Sequence, residues 1–299
     1  MKIALTLIKR NVKLFFKDKA MFFTSLITPG ILLVLYATFL SNVYKDSFLA
    51  GLPMGVTVSE GVIDGLVGGQ LVSSLLAVSC VTVAFCSNFL SVQDKANGTV
   101  KDLKISPVKS WILSLSYYLA SLLASFIICL CALALGLLYL AVTGWYLSLV
   151  DVALLFLDTV ILVLFGTALS SLINIFLSSQ GQISAVGSIV SAGYGFICGA
   201  YMPISSFGEG LQVAVSLLPG TYGTSLLRSH ATRGVFEAMK NEGLPKEAID
   251  GLRDAIDCNV YLFNNAVSQG VSYAVLLGAV GALVLAYILI NKFKKRIRT

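Results

Sequence analysis

Charge is scarce in this sequence: only 12% of its 299 residues are Asp, Glu, Lys or Arg, where soluble domains carry roughly 25%. With 57% hydrophobic residues and a mean hydropathy of +0.88, that scarcity excludes a water-soluble fold, which could not cover so much apolar surface. Histidine occurs once, at His230. Neither a metal site of several imidazoles nor a histidine-based triad can be assembled from it, and it reads as a surface residue. The six cysteines form no CxxC pair. Cys80, Cys86, Cys129, Cys131 and Cys198 fall in apolar runs, where cysteine acts as a small hydrophobe, and Cys258 stands alone, so no disulfide framework is indicated. Gly-Lys never occurs, and with it the GxxxxGK[ST] phosphate loop is missing. The chain is therefore not expected to be an enzyme, to hydrolyse ATP by that machinery, or to bind a metal.

What is present is a set of long uncharged runs: 20–44, 65–93, 110–150, 159–208 and 258–291. A spanning helix needs roughly 20 mostly apolar residues. The fourth run is broken by the polar cluster 178–182, so it holds the end of one span and the whole of another. Six transmembrane helices are expected, at about 20–41, 68–92, 111–139, 150–176, 183–202 and 269–291. The fold class is thus an all-α integral membrane protein. A transmembrane β-barrel would alternate in period two, and a cleaved signal peptide is not expected, because the first apolar run is too long and starts too late.

Basic residues set the orientation. Six lie in 2–19, four between spans two and three, and five after span six, so 15 of the 21 fall on one side. Both termini are expected in the cytoplasm of a cell carrying this multi-pass chain in its plasma membrane. The net charge of +6 reflects that asymmetry and does not imply nucleic-acid binding.

Residues 1–19 read as an amphipathic helix lying on the membrane, apart from the transmembrane domain 20–299. At 100° per residue Leu5, Ile8, Val12 and Phe15 share one face, and Lys2, Lys9, Arg10, Lys13 and Lys17 another, facing lipid headgroups. Pro29-Gly30 is expected to kink span one. Segment 93–110 is the one sizeable polar insertion on the inner side. Gly98-Thr99 offers a turn and helix start, Val100, Leu103 and Ile105 a short apolar edge, and Ser106-Pro107 a stop. It reads either as a docking helix for a cytoplasmic partner or as an ordinary polar loop. In span five, Gly187, Ser191, Gly195 and Gly199 recur every fourth residue and are expected to let another helix come close. The stretch 203–227 carries breakers at both ends of an apolar run too short to span, which fits a re-entrant element. The last external loop, about 228–268, reads as a small helical cap. Asp158 is the one acid inside a span and Asp151 lies seven residues earlier on the same face. Both are expected near the outer end of span four, hydrogen-bonded or interfacial, with no basic residue mid-span to pair with them.

This order resembles the permeases of the ABC-2 type, over essentially the whole chain. The family's Glu-Arg-Gly-Thr-like stretch followed by Leu and Ser/Thr-Pro is similar to Asp94, Lys95, Ala96, Asn97, Gly98 and Thr99, then Leu103, Ser106 and Pro107. Span five closes in Gly199-Ala-Tyr-Met-Pro203, and the re-entrant stretch ends near a Pro-x-x-Tyr, here Pro219 to Tyr222. The sequence departs at Asn97, where the family usually has a charge, and in a longer external loop. The resemblance implies an ATP-driven exporter: a second permease copy, identical or a paralogue, and cytoplasmic ATPase subunits docked on 94–107 and the N-terminal helix. ATP and Mg would sit on those ATPases and no cofactor in this chain. Residues of spans two and five, with an outer gate at Pro203, Pro219 and Tyr222, would line a route for an amphipathic drug, antimicrobial peptide or lipid. The rival reading is an ion-coupled secondary transporter.

Overall fold

The computed structural model describes residues 2–50, 58–105, 108–262 and 265–296. Helix α1 (Lys2–Lys17) is followed by Asp18, whose Oδ1 accepts the Met21 N–H at 3.1 Å and so starts α2 (Lys19–Leu35). Span one runs through Pro29 without a break in the helix. It passes a π-helical turn, Tyr36–Leu40, and continues as α3 (Ser41–Ala50). Then come α4 (Glu60–Ala96), the short α5 (Thr99–Ile105), α6 (Ser110–Thr143), α7 (Leu149–Asn174) and α8 (Gln180–Ile197). Beyond α8 lie α9 (Glu209–Ser216), α10 (Pro219–Asn241) and α11 (Lys246–Ala255). A two-residue antiparallel ribbon, β1 (Tyr261–Leu262) with β2 (Asn265–Ala266), precedes α12 (Gln269–Arg296).

The chain folds as an all-α membrane protein around α4. Buried residues occupy 94% of the most apolar stretch of α4, against 6% for α12, which presents its face outward. Lipid tails are as apolar as leucine, so helices in a bilayer associate through close fit and polar contacts rather than through burial from water. Both occur here. Ser87 of α4 lies 2.7 and 2.8 Å from the hydroxyls of Ser121 and Ser125 on α6. The Asn88 amide donates to Ser170 and Ser171 of α7 at 3.0 and 2.5 Å.

Two expectations need correction. Among the described residues five helices are long and apolar enough to cross a membrane on their own, not six. The expected fifth span, 183–202, is the shorter α8, whose first turn is Gln180-Gly181-Gln182 and which ends before Gly199, a glycine with a φ of +73°. Second, the cap expected from 228 begins inside a helix. Pro219 sits in the first turn of α10, where its missing N–H is harmless. That helix then runs past 228 to Asn241, buried from Gly220 to Thr232. Its sequence looks soluble because its polar groups are satisfied inside the protein and not by water.

Candidate functional site

Span one and α8 leave a cavity of about 1390 Å³ between them. Ile31, Tyr36 and Tyr44 line it from span one and Ser191 and Phe196 from α8, and Leu252 of α11 roofs it. Tyr36 and Tyr44 stack with ring centroids 5.6 Å apart. The π-helical turn falls on this wall, and such turns occur often at functional sites. Glu247 is the one charged side chain among the lining residues. The cavity is therefore apolar with scattered hydroxyls, a surface suited to an amphipathic molecule. Span two does not line it, contrary to expectation, because α4 is enclosed by its neighbours on every side. Span one takes that place.

The residues expected at an outer gate separate. Pro203 lines the cavity, whereas Pro219 opens α10 and Tyr222 is buried along that helix. The four small residues of span five do not form one contact stripe either. Gly187 faces Phe89 of α4, and Ser191 faces the cavity. Gly195 lies under the Tyr201 ring, which would stand 2.3 Å from a Cβ there. Gly199 takes a backbone conformation that side chains disfavour. The chain folds back on itself after α8, and that turn accounts for Gly195 and Gly199.

Ahead of its last turn, where Lys240 is exposed, helix α10 carries three basic side chains, Arg228, His230 and Arg233, each engaged with an acid. Arg228 is wholly buried. Its Nη1 donates to the Ile256 carbonyl at 2.7 Å and lies 3.4 Å from Asp257 Oδ2. Its Nη2 donates to the Gly199 carbonyl at 2.9 Å and to Ser74 Oγ at 3.1 Å. His230 Nδ1 lies 2.6 Å from Asp158 Oδ2, and Tyr273 of α12 donates to Asp158 Oδ1 at 2.5 Å. Arg233 Nε forms an ion pair with Asp151 at 2.7 Å. Asp151 also closes the capping box with Ser148 at the start of α7. The expectations of a surface histidine and of acids without basic partners are thus overturned: α10 enters the bundle and brings the bases with it. The signal was present as Arg228, His230 and Arg233 on a stretch that follows a Pro-Gly. Nothing in the spacing says that Arg228 and His230 are buried while Arg233 stays partly exposed. Burial lifts the Asp257 carboxyl above the usual range, while Arg228 and the Ile204 N–H pull it down.

At the opposite end, Asp94 and Lys95 turn inward. Arg10 Nη1 of α1 reaches Asp94 Oδ2 at 2.9 Å, and Tyr117 of α6 donates to the same oxygen at 2.5 Å. Lys95 Nζ donates to the Asn174 carbonyl, 2.7 Å away at the end of α7. These two residues strut α1, α4, α6 and α7 together and offer little to an outside partner. Of the expected headgroup-facing cations, Lys9, Lys13 and Lys17 are exposed, but Arg10 is half-buried in this strut. α1 itself buries Leu7, Asn11 and Phe15, so that of the expected apolar face Phe15 is buried, Ile8 and Val12 are half-buried and Leu5 is exposed. Gly98, with a φ of +82°, makes the turn from α4 into α5. Thr99 opens α5. Leu103 and Val100 pack against the core, and the outer face of α5 presents Lys101, Asp102 and Ile105, the last 86% exposed. Ser106 and Pro107 lie outside the described residues.

The family model described as ABC-2 type transporter matches residues 4–230. No curated protein matches the chain.

Proposed function

The chain belongs to the ABC-2 type transporter family and is a transmembrane permease of an ABC transporter, and we propose that it moves an amphipathic drug, antimicrobial peptide or lipid outward across the plasma membrane. The observation that carries this reading is the large groove between span one and α8, almost free of charge and opening along two helices whose outer faces are apolar. Phe23, Val34 and Phe39 on span one and Ile189 on α8 are exposed outside the groove's lining. A second permease copy, identical or a paralogue, covers these faces, and the two grooves meet to form the route. Both termini, α1 and α5 lie in the cytoplasm, where separate ATPase subunits hold ATP and Mg.

Coupling follows from the struts. An ATPase that moves α5 moves the end of α4. Asp94 transmits that displacement to α1 through Arg10 and to α6 through Tyr117, and Lys95 transmits it to α7. Span one, joined to α1 through Asp18, then shifts against α8 and changes the groove. The contact offered to the ATPase is the outer face of α5, so Ile105 is the residue to alter. Leu103 faces the core.

The test is copurification of the chain with a cytoplasmic ATPase from the same cell, then reconstitution into lipid vesicles with a fluorescent amphipath. Uptake into inverted vesicles that needs ATP and no ion gradient is expected, lost in Ile105→Asp while the chain stays folded. Transport driven by a proton or sodium gradient with no ATPase bound would overturn the reading in favour of a secondary transporter.

A further inference from the structure

Two stretches form the outer rim of the groove. Tyr201, Met202, Pro203 and Ser206 come from the turn after α8, and Ala255 and Ile256 from the end of α11. Both are tied to one side chain. Arg228 holds the Gly199 carbonyl, where the first stretch begins, and the Ile256 carbonyl, where the second ends. Asp257, paired with Arg228, accepts the Ile204 N–H at 2.7 Å and so fastens the middle of the first stretch as well.

The backbone at this point is unusual. Asp257 has a φ of +54°, and it is the one residue other than glycine with a positive φ among the described residues. Gly199, with a φ of +73°, faces it: a Cβ on Gly199 would lie 3.3 Å from Asp257 Oδ2. Residues held in sparsely populated backbone conformations persist where the surroundings impose them, and they gather at switch regions. Ser225 and Ser229 of α10 add hydrogen bonds to the Cys258 carbonyl at 2.7 and 2.8 Å, so α10 grips 256–258 from three positions in two turns.

We propose that Arg228 and Asp257 form the latch of the groove's outer rim, with Arg228 as its positioning residue: joined, they dock residues 199–206 and the end of α11 onto α10, and the substrate leaves only when they part. The proposal rests on the transport reading above, but it makes a claim that can fail by itself. An ion pair is suited to this task. Within the protein the pair holds firmly, because removing one partner leaves the other charge buried and uncompensated. Once water reaches the rim both charges are solvated, so the open state is not penalised. An apolar contact of equal size would favour closure more and opening less.

Two native cysteines report on the latch. Cys198 precedes Gly199 and Cys258 follows Asp257, and both are buried. Cys129, wholly buried in α6, serves as the control for global unfolding. The chain in lipid nanodiscs is treated with a water-soluble maleimide, and modification of each cysteine is followed by peptide mass spectrometry. Slow labelling at Cys198 and Cys258 is expected in the unaltered chain. In Asp257→Asn and Arg228→Met both should label at least tenfold faster, with Cys129 unchanged and the helical circular dichroism intact. Arg228→Lys, which keeps the charge, should fall between. Unchanged rates at Cys198 and Cys258 in a folded variant would overturn the latch. So would a rise shared by Cys129, which marks general loosening. In the ATPase-bound complex, trapping with ATP and vanadate should raise Cys198 labelling in the unaltered chain, and a constant rate there would also overturn it. Failure of the ATPase to bind at all is a separate signal and counts against the transport reading.

Discussion

Replacing Asp158 by alanine should loosen three helices at once. Its carboxylate is 1% exposed and bridges α7 to α10 through His230 and to α12 through Tyr273. A hydrogen bond to a charged group contributes about 1.5–3 kcal/mol, and removing one member of a buried pair costs about 3–5 kcal/mol. Asp158→Ala is therefore expected to destabilise the chain by about 3–5 kcal/mol. Tyr273→Phe, which leaves the carboxylate one partner, should cost about 1.5–3 kcal/mol. The double variant should cost less than the sum, by about 1–2 kcal/mol, because both single changes remove the same bond. The assay is unfolding from mild detergent into sodium dodecyl sulfate, followed by far-ultraviolet circular dichroism. A loss below about 1 kcal/mol for Asp158→Ala, or strict additivity in the double variant, would refute the bridge. If the chain instead ran on protons through this carboxylate, Asp158→Asn would abolish transport while leaving the fold intact. The bridge predicts ATP-driven transport in every variant that still folds.

Gly234→Ala should prevent a native fold, since a Cβ there falls 1.8 Å from the Tyr146 backbone carbonyl oxygen, whereas Gly193→Ala meets open space and should stabilise its helix by about 0.5–1 kcal/mol; yield and melting in detergent separate the two. Arg10→Ala leaves Asp94 with Tyr117 alone and should cost about 1–3 kcal/mol in the same unfolding assay, while Ile105→Asp on the exposed face of α5 should stay within about 0.5 kcal/mol of the unaltered chain. Glu242 accepts the Ser59 hydroxyl at 2.6 Å and the Ser59 N–H at 2.9 Å, which holds its carboxyl below the usual glutamate range. A lowered folded value means that this tether contributes fully above the unfolded pKa and is lost as pH falls through the folded one. Protection of the first-turn amides of α4, taken relative to the intrinsic exchange rate at each pH, should fall in acid, and Glu242→Gln should remove that dependence.

Length and hydropathy told where the chain crosses the bilayer, because a run such as 110–150 has no other solvent. They did not tell which helix sits inside. α4 and α12 are similarly apolar, yet one is enclosed and the other faces outward. The trace of enclosure is the spread of small and polar residues around all of α4, from Gly65, Gly68 and Gly69 through Ser73, Ser74 and Asn88. The stripe on α8 drew attention instead, and its regular spacing hid four unrelated surroundings. α10 reads as part of a soluble cap for a related reason. Hydropathy averages side chains as if each met the solvent alone, and Arg228, His230 and Arg233 do not. The strut at Asp94 and Lys95 fell within a motif, but a motif does not say whether its charges point to a partner or to the chain's own helices.

The enclosure of α4 has a consequence in time. During synthesis it enters the bilayer well before its surroundings exist: at about 5–20 residues per second, α10 emerges on the order of 10 s later. Meanwhile its hydroxyls face lipid. Ser73, Ser79 and Thr82 donate to carbonyls of their own helix, at Gln70, Leu75 and Val78, and so need no neighbour while they wait. Asn88 has no such recourse: its amide donates to Ser170 and Ser171, which arrive with α7. Asn88 of the newborn chain thus waits for a helix still inside the ribosome, and the arrival of α7 is the moment at which its amide is satisfied.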